Sequence, residues 1–283
     1  MAMETKSGMT LVLGGTGKTG RRVVERLRAR GLPVRVGSRT GTPRFDWEAP
    51  ETWGPALEGV TAVYLAYAPD LGAPGAREQV RAFAAQAAAG GVQRIVLLSG
   101  RGEPQAHQAE EGVRTCGVAF TVLRAAWFFQ NFSEGHLLEA VRAGELAFPA
   151  GEVAEPFLDA EDIAEVAVAA LTDGAHAGRT YELTGPRLLT FAQAAAELSE
   201  AVGRPVRYVP LTPEAYAASL APYLPQEEAE FLAQLFCEVL DGRNADLADG
   251  VQQVLGRAPR DFRAWARETA TAGAWSAAAA AVS

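Results

Sequence analysis

The sequence contains few of the residues on which several classes of site depend. Its two cysteines, Cys116 and Cys237, are too few for a disulfide framework or a cysteine-based metal site. Such sparse cysteine is typical of a reduced protein, so we expect a cytoplasmic location. The three histidines, His107, His136 and His176, are too scattered in sequence to predict a metal ligand set, and we expect no metal.

Long apolar runs are also missing. No uninterrupted apolar stretch approaches the ~20 residues that a membrane-spanning helix needs, and residues 1–8 lack the pattern of a signal peptide. We therefore expect no membrane partner. The formal net charge of −8 argues against nucleic acid as a non-specific partner. With 283 residues, 48% of them apolar, the chain can bury the core of one large or two modest domains.

Lysine is rare, which limits the possible catalytic groups. The chain has many arginines but only two lysines, Lys6 and Lys18. Lys6 lies in the segment that we expect to be a disordered leader, and Lys18 lies in a glycine-rich loop. No other lysine is available for catalysis.

That glycine-rich loop is the most informative feature of the chain. Residues 11–13 predict a buried strand, and residues 21–30 predict a helix closed by Gly31. Glycines between them allow a tight turn and close approach of a pyrophosphate, while the helix N-terminus offers N–H groups and a positive dipole end. The loop therefore predicts a dinucleotide site formed by Gly14, Thr16, Gly17, Lys18, Thr19 and Gly20.

A P-loop for a nucleoside triphosphate is excluded by the spacing of the same residues. Although Gly17-Lys18-Thr19 matches the end of that motif, a P-loop also needs a glycine five residues before Gly17. Val12 occupies that position.

The end of the second predicted strand, residues 33–37, indicates which dinucleotide binds. An acidic residue at this point bonds the ribose hydroxyls of NAD, whereas an arginine can bind the 2′-phosphate of NADP. Here Ser38 and Arg39 follow the strand, so we predict NADP(H). A solvated surface arginine is the alternative.

Strands and helices alternate along the first two thirds of the chain, which predicts an α/β fold with a doubly wound parallel Rossmann sheet. Residues 44–47 predict a short strand or turn, in which Asp46 either touches the adenine or caps the next helix. A fourth strand at 60–66 and a fifth at 94–99 should bring Ala66, Tyr67 and Ser99 to the ligand-binding edge.

The later part of the chain is dominated by predicted helices. We expect residues 9–185 to form the dinucleotide-binding domain and 186–275 to form a smaller, mainly helical region that covers the substrate. Residues 1–8 and 276–283 are expected to be a disordered leader and a disordered tail.

Together these motifs resemble the NmrA-like branch of the atypical short-chain dehydrogenase/reductase superfamily. The resemblance runs from about residue 9 to about 210 and rests on residues 11–20, 38–39, 97–99, 121–132, 159–163 and 181–185. Within the branch, the glycine loop and the later Phe-Asp-Trp are similar to bacterial relatives of festuclavine synthase and agroclavine dehydrogenase. The resemblance implies a substrate site beside the nicotinamide that includes Trp127, Phe128 and Asn131.

The chain departs from the superfamily at its catalytic dyad. The usual enzymes use Tyr-x-x-x-Lys, where tyrosine transfers a proton, but here His107 and Glu111 stand at the corresponding places. Ordinary alcohol oxidation is therefore not expected. Reduction of an iminium, a quinone or an activated enone mainly requires a positioned hydride donor. His107 is a candidate proton donor, and a helix-surface histidine is the alternative.

The sequence thus predicts an NADPH-dependent reductase of a small aromatic or cyclic electrophile, in specialised metabolism, acting as a monomer or homodimer. Two alternatives stay open. One is an NmrA-type sensor that binds the dinucleotide without turnover, and the other is a non-redox tailoring enzyme that couples aromatic polyketides.

Overall fold

The computed structural model describes residues 8–276, so residues 1–7 of the expected leader and 277–283 of the expected tail lie outside the described residues. The chain divides into two compact units. The first contains the described residues up to Ala125, together with Ala160–Leu183 and Gly250–Arg257. The second contains Ala126–Asp159, Thr184–Asp249 and the residues from Ala258 onward. The units are interleaved along the chain, unlike the contiguous boundary at residue 185 that the sequence suggests.

The first unit is built on a six-stranded parallel sheet. Numbered along the whole chain, its strands are β1 (Met9–Leu13), β2 (Val34–Gly37), β3 (Val60–Leu65), β4 (Arg94–Gly100), β5 (Ala119–Ala125) and β8 (Arg179–Leu183). They lie in the order β2-β1-β3-β4-β5-β8, and every neighbouring pair is parallel. The order reverses between β1 and β3, which is where such sheets bind ligands. The predicted doubly wound fold is confirmed.

Six helices belong to this unit: α1 (Lys18–Ala29), α2 (Trp53–Leu57), α3 (Ala76–Ala89), α4 (Pro104–Arg114), α6 (Ala160–Thr172) and α10 (Gly250–Leu255). The first begins three residues before the predicted start at residue 21, because Gly17 is its N-cap. Valines and leucine on its inner face, Val23, Val24 and Leu27, are buried. The predicted amphipathic face therefore packs into the core.

Residues 44–47 form no strand. The segment predicted as the fourth strand, residues 60–66, is therefore the third strand of the structure, β3. The segment is held instead by two aromatic side chains. Phe45 and Trp47 are 4% and 8% exposed, and the Phe45 ring lies 5.6 Å from Phe83 of α3. Burial of these rings anchors the loop that follows β2.

The second unit is mainly helical, as predicted for the C-terminal region. Its helices are α5 (Leu138–Ala143), α7 (Phe191–Val202), α8 (Pro213–Leu220), α9 (Gln226–Val239) and α11 (Phe262–Thr271). Its short strands are β6 (Glu145–Phe148), β7 (Ala154–Glu155), β9 (Leu189–Thr190) and β10 (Arg207–Pro210), paired as β6 with β10 and β7 with β9. The predicted capping box at the start of α7, between Thr190 and Gln193, is present.

Two kinds of feature are not found in residues 8–276. No helix there has the length and apolar character needed to cross a bilayer. That same range contains no group of three or more histidine, cysteine, aspartate or glutamate side chains arranged to hold a metal ion.

Candidate functional site

The glycine turn after β1 has the geometry that its sequence predicts. Gly14 has a φ of +65°, a left-handed conformation that favours glycine, and its carbonyl accepts a hydrogen bond from the Gly17 N–H at 2.9 Å. Gly20 is buried, and a Cβ at this position would run into the Gly14 carbonyl. A glycine at position 20 therefore lets α1 pack directly against the turn.

The N-terminus of α1 lies at the carboxyl end of β1. No side chain caps it, and its first turn contains no acidic residue. Thr16 and Gly17 are exposed, and a Cβ on Gly17 would meet only the Gly14 carbonyl oxygen, at 3.2 Å. This open, positively polarised helix end fits the phosphates of a dinucleotide.

Two other residues of the loop, Lys18 and Thr19, make contacts inside the first unit. Thr19 is 4% exposed and lies beside the fully buried hydroxyl of Tyr64, whose pKa is raised by burial. The carbonyl of Lys18 accepts a hydrogen bond from Arg22 Nη1 at 2.7 Å. Arg22 Nε in turn donates to Glu161 of α6 at 2.7 Å. Through Arg22, the first turn of α1 is joined to α6.

Ser38 and Arg39 follow β2 in a tight loop. The Ser38 carbonyl accepts from the N–H groups of Gly41 and Phe45, at 3.1 and 2.9 Å. The Arg39 side chain is exposed and makes no hydrogen bond or ion pair with any residue in the described range. Its guanidinium is therefore in a position to bind an external anion.

Asp46 belongs to the same loop. Its carboxylate accepts from Arg44 Nη2 at 2.5 Å, and this hydrogen bond is the main reason why its pKa is lowered. The N-caps of the next two helical turns are Ala49 and Thr52, so the capping role considered for Asp46 is not observed.

Tyr67 lies just beyond the end of β3, after Ala66. Its hydroxyl donates to Gln79 Oε1 at 2.6 Å, and its ring centroid lies 4.7 Å from that of Trp47. Burial, together with the nearby charge of Glu48, raises the pKa of Tyr67. The ring is thus held just beyond the carboxyl end of β3.

Ser99, at the end of β4, belongs to a buried polar cluster. Its hydroxyl donates to Glu110 of α4 at 2.8 Å, and Glu110 is completely buried. Arg124 donates to both oxygens of the same carboxylate, and Arg114 donates to one of them. Ser99 therefore joins β4 to α4 in addition to any contact with a ligand. The neighbouring Glu111 is exposed.

His107 lies on α4 and is half-buried. Its Nε2 is 3.2 Å from the carbonyl oxygen of Gly100, which ends β4. The ring is thus held at the carboxyl end of this strand, and the role of His107 as proton donor stays a prediction.

The residues predicted to bind substrate follow β5 and belong to the second unit. Hydrogen bonds between Trp127 and Leu158, and between Phe129 and Leu158, each 2.8 Å long, fix the backbone on both sides of Phe128. Asn131 is half-buried, and its carbonyl accepts from the Leu137 N–H at 3.2 Å.

Sequence reasoning missed the partners of Trp127. The rings around it come from four different segments, and they include His136, Phe148, Phe191 and Phe236. No local pattern links these positions, because their separations in sequence exceed any helical or strand period.

Comparisons with known proteins agree with the glycine turn and the parallel sheet. A sequence model of the NAD(P)H-binding family matches residues 14–174. The chain is 35% identical to agroclavine dehydrogenase of Claviceps fusiformis, over 90% of this chain and 95% of that protein. It is 34% identical to an NAD(P)H azoreductase of Xenophilus azovorans, over 93% and 99%. The fold matches that of Citrobacter triphenylmethane reductase complexed with NADP(H), with a TM-score of 0.75 at 23% identity, over 93% of this chain and 99% of that one.

Proposed function

The chain belongs to the NAD(P)H-binding family, and we propose that it is a reductase that uses NADPH to reduce a small electrophile: a quinone, an iminium ion or an activated enone. The observation that carries this proposal is the uncapped N-terminus of α1 behind the glycine turn, with Arg39 available at the end of β2. Named reductases and dehydrogenases among the relatives identify the chain as an NAD(P)H-dependent oxidoreductase.

Different residues of the first unit would bind different parts of the cofactor. The turn from Gly14 to Gly20 and the N–H groups at the start of α1 would hold the pyrophosphate. Ser38 and Arg39 would hold the 2′-phosphate, since an exposed guanidinium can donate two hydrogen bonds to it. When bound, NADPH supplies a hydride.

Further residues would complete the site. Ala66 and Tyr67 at the end of β3 and Ser99 at the end of β4 would border the cofactor, and Asp46 would face the adenine. His107 is our candidate for the proton donor, because its ring is held at the end of β4. We assign Trp127, Phe128 and Asn131 to the substrate, because they directly follow the carboxyl end of β5.

Equilibrium binding of the two nucleotides tests the cofactor assignment. We expect NADPH to bind the full chain at least ~10-fold more tightly than NADH when both are titrated by calorimetry, because only NADPH carries the 2′-phosphate. Equal affinities, or no binding of either nucleotide, would contradict the proposal.

A further inference from the structure

A backbone hydrogen bond closes the loop that follows β2. The N–H of Phe45 donates to the carbonyl of Ser38 at 2.9 Å, and residues 39–44 form the loop between them. Phe45 is 4% exposed and belongs to the hydrophobic core of the first unit, which anchors the closed end. Arg39 is the first residue of the loop and Arg44 is the last. The two arginines therefore start from neighbouring backbone positions.

Asp46, just after this loop, is held through both its backbone and its side chain. Its N–H donates to Thr52 Oγ1 at 3.0 Å, and its carbonyl accepts from Trp53 Nε1 at 2.8 Å. Its carboxylate accepts from the Glu48 N–H at 3.2 Å and from Arg44 Nη2 at 2.5 Å. The side chain is 14% exposed. Asp46 is thus a fixed anchor for the Arg44 guanidinium.

The pair with Asp46 leaves most of the Arg44 guanidinium available. A guanidinium carries several N–H donors in one plane. Within residues 8–276, the Arg44 side chain uses one nitrogen, Nη2, for a hydrogen bond. The side chain is 57% exposed. An incoming anion can therefore contact Arg44 without breaking its bond to Asp46.

Both arginines act on the same carboxylate. The hydrogen bond from Arg44 is the main reason why the pKa of Asp46 is lowered, and the positive charge of Arg39 lowers that pKa further. Asp46 therefore stays ionised at neutral pH and keeps its bond to Arg44. Two arginines against one aspartate leave a net positive charge. Glu48, the next acidic residue, accepts a hydrogen bond from Gln79 Nε2 of α3 at 3.3 Å.

We propose that Arg44 binds the 2′-phosphate of NADPH together with Arg39, and that Asp46 is the positioning residue that holds Arg44 for it. This inference rests on the proposed function and names a second residue that sets the preference for NADPH over NADH. Hydrogen bonds between an arginine and a phosphate are charge-assisted and among the stronger ones in proteins. An arginine that is already held in place loses less side-chain freedom when the phosphate binds.

An ion pair that only braces the loop is the alternative role for Arg44 and Asp46. Exposed ion pairs contribute little to stability, so such a role would have a small effect on the fold. The two roles also differ in what they do to ligands. A change in the shape of the loop would affect every adenine nucleotide, whereas a lost phosphate contact affects only a nucleotide that carries the 2′-phosphate.

Two small nucleotides test the difference in the full-length chain. Adenosine 2′,5′-bisphosphate and 5′-AMP differ only in the 2′-phosphate, and neither carries a nicotinamide. We expect Arg44→Ala to weaken binding of the bisphosphate by ~10-fold or more and to leave 5′-AMP unchanged, measured by calorimetry. Arg28→Ala, an exposed change in the last turn of α1, is the matched control and should alter neither affinity.

A double-mutant cycle tests the role of Asp46. Without Asp46, Arg44 is held less firmly, and removal of Arg44 no longer leaves an unpaired carboxylate beside the phosphate. Both effects act in the same direction, so Arg44→Ala should cost less bisphosphate affinity in an Asp46→Asn background than in the wild type, by ~3-fold or more. An equal cost in both backgrounds would contradict the positioning role of Asp46.

Two results for Arg44→Ala would overturn the assignment of Arg44. One is an unchanged affinity for the bisphosphate. The other is an equal loss for the bisphosphate and for 5′-AMP, because that would indicate bracing of the loop alone. If the alanine variant does not fold, Arg44→Gln, which keeps a long polar side chain without the charge, replaces it in the same titrations.

The same titrations separate this inference from the proposed function. Equal binding of the bisphosphate and 5′-AMP by the wild type would contradict both. A wild-type preference for the bisphosphate that Arg39→Ala removes and Arg44→Ala leaves intact would support the proposed cofactor and contradict this inference. A selective loss in Arg44→Ala, without NADPH oxidation by any acceptor, would support this inference and contradict the reductase.

Discussion

Arg124 donates two hydrogen bonds, each 2.8 Å long, to the two carboxylate oxygens of Glu110. Glu110 lies on α4 and is completely buried, whereas Arg124 lies on β5. The pair joins α4 to β5 within the first unit.

Glu110→Gln should destabilise the protein. Burial by itself would raise the pKa of Glu110, but hydrogen bonds from Arg124, Arg114 and Ser99 outweigh it, and the pKa is lowered. Breaking a buried pair leaves an uncompensated charge, so we expect a loss of ~3 kcal/mol in the free energy of unfolding at pH 7, measured by urea titration. Glu111→Gln, an exposed change one position away, is the matched control and should have no effect.

The difference in the free energy of unfolding between wild type and Glu110→Gln should decrease as the pH falls. Because the folded-state pKa lies below the ordinary value of 4.5, the charged carboxylate stabilises the native state above that value. The contribution is lost as pH falls through the folded-state pKa. Urea titrations from pH 7 down to acid should therefore show the difference shrinking, and a difference that grows on acidification would contradict the assigned ionisation.

Arg39→Ala should weaken NADPH more than NADH. Hydrogen bonds to a charged group contribute about 1.5–3 kcal/mol, which corresponds to a ~10- to 100-fold loss of NADPH affinity by calorimetry. NADH lacks the 2′-phosphate and should bind the variant as it binds the wild type. Arg77→Ala, at an exposed position on α3, is the control. Equal losses of affinity for both nucleotides would contradict the assignment of Arg39 to the 2′-phosphate site.

Gly17→Val should abolish binding of both nucleotides while the protein still folds. Gly17 has φ −79° and ψ −179°, an extended conformation that valine adopts readily, and a Cβ there meets only one atom, at 3.2 Å. The valine side chain would instead occupy the space expected for the pyrophosphate. Calorimetry with NADPH and NADH tests this, and Gly174→Val, whose Cβ would meet its nearest atom at 3.6 Å, is the matched control. Retained NADPH affinity in Gly17→Val would contradict the assigned phosphate position.

His107→Phe should slow reduction of menadione and spare reduction of malachite green. Quinone reduction requires a proton, whereas a cationic dye is neutralised by hydride alone. We expect the variant to lower the rate with menadione by ~10-fold or more in steady-state assays, because a positioned proton donor contributes about that much or more. If the variant and the wild type reduce menadione at the same rate, His107 is a helix-surface histidine that only contacts the Gly100 carbonyl.

The sequence predicted the first unit well because its signals are local. The run of buried residues in β1, the glycine turn and the amphipathic face of α1 lie within twenty residues of one another. Each can be recognised without knowledge of distant contacts. The parallel sheet followed from the alternation of strands with helices, and the structure confirms it.

The parts that escaped prediction depend on distant residues. Strand β6 pairs with β10, so Glu145 lies opposite Arg207, more than sixty residues further along the chain. Glu110 forms an ion pair with Arg124 of β5, and the helix pattern of α4 does not predict that partner. Such features need the three-dimensional arrangement, because sequence periodicity reports only which face of an element is buried.

Single-turnover oxidation of NADPH by the purified full-length chain tests the proposed function most directly. The reaction would be followed by the loss of NADPH absorbance, with a panel of quinones, cyclic iminium ions and activated enones as acceptors. We expect saturable, protein-dependent oxidation of NADPH with at least one of these acceptors. Tight NADPH binding with no oxidation by any acceptor would contradict it.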